Sequence, residues 1–170
     1  MVRRIFGLLN RAMGGRDAYA HCDIPCGIYD PHAAQIAALT VLRMNQLLGD
    51  LQAPTPGDKA SVDAYALKVG RYTNEKERHS EIVKSEVRII WGDYIRPEHV
   101  EKYPDLHNTV FNIMKLASRN KQNYDAKAAE ELVAAVQTFA ETFWATKNVQ
   151  TKRQASNQGP VGGQIVYPAG

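Results

Sequence analysis

The chain has 170 residues, with 21 Lys+Arg against 18 Asp+Glu and a net charge of +3; 44% of it is hydrophobic and 23% charged. With 12 Gly, 8 Pro and 2 Cys it lies near the average for globular chains, which excludes disordered, collagen-like and disulfide-scaffold classes and fits one domain with its own core. No apolar run approaches the roughly 20 residues that cross a bilayer, so no membrane partner is expected, and +3 is too small to indicate nucleic acid.

The charge is unevenly placed. Residues 1–20 hold Arg3, Arg4, Arg11 and Arg16 against Asp17 alone, which accounts for the whole excess; residues 21–170 carry 17 basic and 17 acidic side chains. A secretion signal would need an apolar stretch of about 7–15 residues. Here Ile5–Leu9 supplies only five before Asn10 and Arg11 interrupt. A removable propeptide over 1–20 fits better than a signal peptide, with a frayed terminus as the plain alternative.

Residues 21–30 follow as a compact loop, His21-Cys22-Asp23-Ile24-Pro25-Cys26-Gly27-Ile28-Tyr29-Asp30, in which Pro25 and Gly27 favour a turn over a helix. Asp30-Pro31 reads as an N-cap and first helical residue. Ala37, Val41, Met44, Leu48 and Leu51 then form a helical stripe that stops at Ala53-Pro54-Thr55-Pro56-Gly57. From Asp58 to Ile95 no Pro occurs, and Val83, Val87, Ile90 and Tyr94 form a second stripe. This stretch is one long helix or two with a break near Gly70, and the polar run Thr73–Glu81 reads as a solvated face. Pro97 and Pro104 bracket a loop. Asp105 is placed to cap a third helix with Leu106, Val110, Ile113 and Ala117, and Asp125 a fourth with Leu132, Val136, Phe139 and Phe143. The expectation is an all-α, antiparallel four-helix bundle over 31–148, with a loosely ordered tail over 149–170.

The chemistry concentrates in the loop. Both cysteines lie within five residues, beside a histidine. A disulfide between them would close a very short, strained ring. A zinc site would want four ligands, and no second ligand pair is spaced for it. Inert buried thiols are the third plain reading. A metal site becomes more favourable if the chain is cut before His21. The new α-amine, the Cys22 amide nitrogen and the Cys22 thiolate then close two five-membered chelate rings. The turn at Pro25 can return the Cys26 thiolate to the fourth in-plane position, with the His21 imidazole left as an axial donor. Such a planar nitrogen and sulfur set suits nickel(II) or copper(II) over tetrahedral zinc. Two other metal classes fail. A di-iron bundle needs Glu-x-x-His pairs, but the residues three before the histidines are Ala18, Tyr29, Lys76, Arg96 and Pro104. A c-type haem needs C-x-x-C-H, which is absent.

The segment HCDIPCGIYDP resembles the nickel-hook motif of the nickel superoxide dismutases, H-C-x-x-P-C-G-x-Y, and the leader resembles their propeptide. A second block, Trp91 to His99 followed by Glu101 to His107, is also similar to that family, and the likeness runs from His21 to about Lys147. The resemblance implies dismutation of superoxide to dioxygen and hydrogen peroxide, with one nickel ion per subunit cycling between +2 and +3. It implies metal ligation by His21, Cys22 and Cys26, and access to the metal lined by Tyr29 and Tyr94. It also implies a homohexamer of four-helix bundles and a processing protease that frees the His21 amine. Two positions depart from the family pattern: Ala37 stands where a glutamate, and His79 where an arginine, would orient the axial imidazole. Arg78 with Glu75 or Glu77 is the available substitute. The two thiols suit a reducing cytoplasm. The alternative on the same ligands is a nickel or copper carrier without turnover. His32, His79, His99 and His107 read as surface or packing residues, and Trp91 and Trp144 as core or interface residues. Because the processed chain is formally neutral, steering of the superoxide anion is expected from local cations such as Arg96 or Lys102.

Overall fold

The computed structural model describes residues 27–169. Five α-helices follow one another: α1 (His32–Gly49), α2 (Lys59–Ile89), α3 (Pro97–Lys102), α4 (Leu106–Gln122) and α5 (Ala126–Thr146). A π-turn over Ile90–Tyr94 extends α2. Helix α1 begins one residue later than expected, and Asp30 supports it by accepting the His32 amide at 2.7 Å. Asp58 and Asp125 cap α2 and α5 by accepting the Ala60 and Ala128 amides. Gly70 causes no break. The stretch read as a loop between Pro97 and Pro104 contains the short helix α3, for which Pro97 provides a pre-set first residue.

The four long helices form a ring in which α1 and α4 each pack against α2 and α5. Lys76, Glu81 and Lys84 of α2 meet Asn123, Lys121 and Ser118 at and beyond the end of α4, so the two run antiparallel. At 31 residues α2 is about 46 Å long. Its first half runs past the end of α4 and buries no side chain.

Inside the ring lie Val41, Val83, Val87, Ile113, Leu132, Val136, Phe139 and Phe143, all essentially inaccessible. The expected stripes on α4 and α5 are the buried ones. On α1 the buried line passes through Ala34, Ala37, Val41 and Asn45, so Met44 and Leu48 fall to its edge. The polar run Thr73–Glu81 is not wholly solvated either. Ser80 is fully buried, and Lys76 is 3% exposed, its ammonium donating to the Asn123 carbonyl beyond the last turn of α4. Burial lowers the Lys76 pKa, against the opposing pull of Glu77.

Residues 149–170, expected to be loosely ordered, instead contain an antiparallel hairpin of β1 (Thr151–Ala155) and β2 (Gln164–Pro168). It lies against α1 and α5 and buries Val161, Ile165 and Val166. Gly163, with φ +77°, passes so close to α1 that a Cβ there would lie 2.9 Å from Leu39 Cδ2. Arg153 bonds both carboxylate oxygens of Glu141, at 2.6 and 2.9 Å, and the Gln137 side chain at 2.9 Å. Its hydrogen bonds hold the Glu141 carboxyl below its ordinary range despite partial desolvation.

A buried amide pair fixes the end of the ring away from Tyr29. Asn45 and Asn120 are both fully buried; Asn45 Nδ2 donates to Asn120 Oδ1 at 3.1 Å and to the Val41 carbonyl at 3.0 Å. Asn45 Oδ1 accepts the Asp125 amide at 3.2 Å, and so ties α1 to the start of α5. Asn45→Leu strands the Asn120 oxygen and the Asp125 amide. At roughly 1–3 kcal/mol per stranded group, urea unfolding is expected to show a loss on the order of 3 kcal/mol. Asn45→Leu combined with Asn120→Leu is expected to recover part of it.

Candidate metal centre

The expected ligands His21, Cys22 and Cys26 lie outside the described residues. Their chemistry fits a nickel ion, for which two thiolates with an amine and an amide nitrogen would be suitably soft donors. Among the described residues, no group of three or more His, Cys, Asp or Glu side chains is placed to hold a metal. Gly27 has a φ of +73°, and residues 28–30 lead from it to α1 without helix or strand. Tyr29 then packs against the core cluster.

The structure brings Tyr29 and Tyr94 together, with ring centroids 5.5 Å apart. Tyr94 is carried by the π-turn, where the Ile95 amide reaches back five residues to the Ile90 carbonyl at 3.1 Å. A π-turn inserts one residue into the helical register, and such turns recur at functional sites. Around the Tyr94 ring lie His99, stacked at 5.4 Å, and Phe143 at 5.0 Å. His99 is itself held by the Arg96 amide, which donates to its Nδ1 at 3.2 Å.

The Tyr94 hydroxyl lies 2.8 Å from Thr146 Oγ1, and Thr146 Oγ1 donates to the Phe143 carbonyl at 2.6 Å. The single threonine proton is committed to that carbonyl. Tyr94 therefore donates to Thr146, and its remaining lone pair is directed elsewhere.

A cation completes the cluster. The Lys147 ammonium lies 4.7 Å from the Phe143 ring centroid, 5.3 Å from Tyr94 and 5.5 Å from Trp144. Contact with three ring faces fixes a charge that would otherwise swing freely on its four-carbon stem. Sequence reading missed this residue, because the end of a helix carries no periodic signal for it. Of the cations expected to steer an anion, Lys102 lies over the Tyr103 ring, and Arg96 is exposed at the N-cap of α3.

The residues expected at the imidazole-orienting positions are also placed. Ala37 is buried in the core. His79 Nδ1 lies 2.9 Å from the Glu75 carbonyl and 3.4 Å from its carboxylate. The Arg78 side chain is 68% exposed and pairs with Glu75 at 3.6 Å, so the proposed substitute faces water. His107 is not a free surface residue: its Nδ1 accepts the Trp91 indole N–H at 2.9 Å.

Comparison with known proteins gives a consistent result. The family model for nickel-containing superoxide dismutase matches residues 16–147. The superoxide dismutase [Ni] of Streptomyces coelicolor is 33% identical over 128 residues, covering 75% of this chain and 88% of the relative; that of Streptomyces seoulensis is 32% identical over the same spans. The native nickel superoxide dismutase structure at 1.30 Å aligns with a TM-score of 0.62 at 32% identity, over 75% of this chain and 99% of that one. A nickel-containing superoxide dismutase with ligation corresponding to the oxidised state aligns with a TM-score of 0.64 at 30% identity over the same shares.

The proton path at Tyr94 yields a double-mutant test. Tyr94→Phe and Thr146→Val each remove the same bond, and each is expected to cost about 1 kcal/mol in urea unfolding. The double variant is expected to cost appreciably less than the sum of the two singles. Additive losses would show that the two hydroxyls do not act on one another.

Proposed function

The chain belongs to the nickel-containing superoxide dismutases, and from that premise we propose that cleavage before His21 opens its metal site to the residues gathered around Tyr94. The reaction is the conversion of two superoxide anions and two protons to dioxygen and hydrogen peroxide. A nickel ion bound there would supply the electron relay between its +2 and +3 states. His21 would provide its amine and its imidazole, Cys22 its amide nitrogen and thiolate, and Cys26 the second thiolate. An acylated terminus or an uncut peptide at position 21 would lack the amine donor.

The observation that carries this reading is the donor set His21-Cys22-x-x-x-Cys26, leading within three residues to the Tyr29–Tyr94 pair. In this arrangement Tyr29 and Tyr94 line the approach to the metal and order water there. The Tyr94 proton is held by Thr146, so the phenol oxygen presents a lone pair to a water molecule and does not lend its own proton. Lys147 sits over the Tyr94 ring and supplies fixed positive charge beside the approach. A small anion entering a neutral protein is attracted by that local field and not by net charge. A carrier on the same ligands would need no pair of access tyrosines and no fixed cation. Membership of a dismutase family disfavours it.

The wider setting follows from the same reading. A processing protease removes residues 1–20, and the processed subunits assemble as a homohexamer. Trp91, Phe111 and Leu67 are exposed large hydrophobics suited to being covered in an assembly. No helix among the described residues is long and apolar enough to cross a membrane. Two thiols reserved for a metal suit the reducing cytoplasm.

A chain beginning at His21 and purified with nickel is expected to dismutate superoxide, while the 1–170 chain is expected to be inactive. Equal activity in both forms would overturn the terminal-amine site. In the processed enzyme, Lys147→Gln is expected to lower kcat/KM about three- to tenfold and to flatten its dependence on ionic strength, with Lys147→Arg retaining both. An unchanged salt dependence in Lys147→Gln would remove the steering role.

A further inference from the structure

The family match ends at Lys147, before the hairpin of β1 and β2 begins. Nearly the whole of the solved relative (99% of its chain) is accounted for by 75% of this one. The hairpin is therefore an addition to the family's bundle, and its contacts are not those of a loose appendage.

Its principal anchor is Gln35, in the first turns of α1 and 3% exposed. The Val166 amide donates to Gln35 Oε1 at 2.7 Å, and Gln35 Nε2 donates to the Val166 carbonyl at 3.1 Å. One side chain thus makes both hydrogen bonds that a neighbouring strand would make to Val166, whose own exposure is 2%. Further along α1, Gln46 Nε2 donates to the Val161 carbonyl at 3.2 Å. On the other side, α5 holds the hairpin through Gln137, which donates to the Gln164 carbonyl at 2.7 Å, and through Glu141 with Arg153.

The end of the hairpin lies at the end of the bundle where Tyr29 enters. The Tyr167 ring lies 5.8 Å from His32, the first residue of α1. His32 is bonded to Asp30, one residue from Tyr29, and Tyr29 in turn packs on Tyr94. The Ala169 amide donates to the Gln150 carbonyl at 2.7 Å, four residues beyond the end of α5. The hairpin thus ties the first turns of α1 to the far end of α5, and the metal-binding loop runs directly into α1.

We infer that the C-terminal hairpin is a clamp that fixes the start of α1, and with it the base of the metal-binding loop, with Gln35 as its positioning residue. This rests on the reading of residues 21–26 as the nickel site. Donors that lie six to eleven residues before α1 would be oriented by the residues that join them to that helix, so fixing the start of α1 would fix the base on which they stand. Groups that orient metal ligands typically change metal affinity by about 10–100-fold when removed.

The test uses the processed holoenzyme beginning at His21, a second chain ending at Asn148, and Gln35→Ala in the full-length processed chain. Three quantities are measured: nickel release to excess EDTA, the EPR spectrum of the oxidised enzyme, and hydrogen exchange at the Gln35–Leu39 amides. Both variants are expected to release nickel about tenfold faster or more, to show an altered EPR spectrum, and to lose protection over Gln35–Leu39 while α4 keeps its own. Unchanged nickel release and exchange would overturn the clamp. So would loss of protection spread evenly through α4 and α2, which would make the hairpin a general stabiliser. If the shortened chain does not fold, Gln35→Ala decides alone. Should the full-length processed chain hold no nickel, the metal reading fails. Local exchange over Gln35–Leu39 then decides the clamp, standing if protection is lost there and falling if it is not.

Discussion

Tyr94 is the point at which the separate parts of this molecule meet. Its ring touches Tyr29 from the N-terminal segment, His99 from α3, and Phe143 and Lys147 from the end of α5. Its hydroxyl is tied to Thr146. The π-turn makes this possible. In a regular helix each residue advances about 100° around the axis, so one residue fewer in the turn would point the ring well away from this cluster. The insertion costs α2 its ordinary hydrogen-bond register over Ile90–Tyr94, and the packing around the ring offsets that cost.

The rest of the bundle serves to make that end rigid. The segment 27–31 that enters α1 has no helix or strand of its own, and Tyr29 is its contact with the core. Its geometry has to come from the elements it enters. Here α1 is fixed along its length by three kinds of contact. The ring core packs against Ala34, Ala37 and Val41; the Asn45–Asn120 pair closes the far end; and the hairpin closes the outer face through Gln35. Each buried polar atom in these contacts has a partner, and among the described residues no buried side-chain nitrogen or oxygen is left unpaired. Such fully satisfied buried amides fix register more sharply than apolar contacts, which tolerate sliding.

The sequence was informative where a local pattern and the tertiary fold agree. Leu106, Val110, Ile113 and Ala117 on α4, and Leu132, Val136, Phe139 and Phe143 on α5, announce their buried faces by spacing alone. The candidate ligands are legible for another reason: residue type, chelate-ring size and the preceding leader combine in one short stretch. The hairpin was not legible. Thr151–Ala155 reads Thr-Lys-Arg-Gln-Ala, with no alternation, and Gln164–Pro168 buries only Ile165 and Val166. Its order comes from Gln35 and Gln137, more than 25 residues away in sequence, and no local propensity encodes such a contact. Lys147 and Lys76 escaped for the same reason. A lysine at a helix end, or within a polar run, looks solvated until a ring or a carbonyl from elsewhere is placed against it.

The placement of charge follows from the substrate. Superoxide is an anion, and residues 21–148 carry a net charge of −2, with Lys152 and Arg153 in the hairpin bringing residues 21–170 to zero. Arg153 is occupied by Glu141, so it contributes little free field. Two unit charges at the ~8 Å Debye length of physiological salt are already largely screened, and distant lysines on α2 cannot compensate. Attraction has to be built within a few ångströms of the approach. An ammonium held over Tyr94, Phe143 and Trp144 meets that requirement at small desolvation cost, because the ring faces replace part of its hydration while leaving its charge unneutralised. A carboxylate partner would fix the lysine equally well and cancel the field. The aromatic ends of α2 and α5 therefore hold Lys147 in place, and among the described residues no carboxylate pairs with it to cancel its charge.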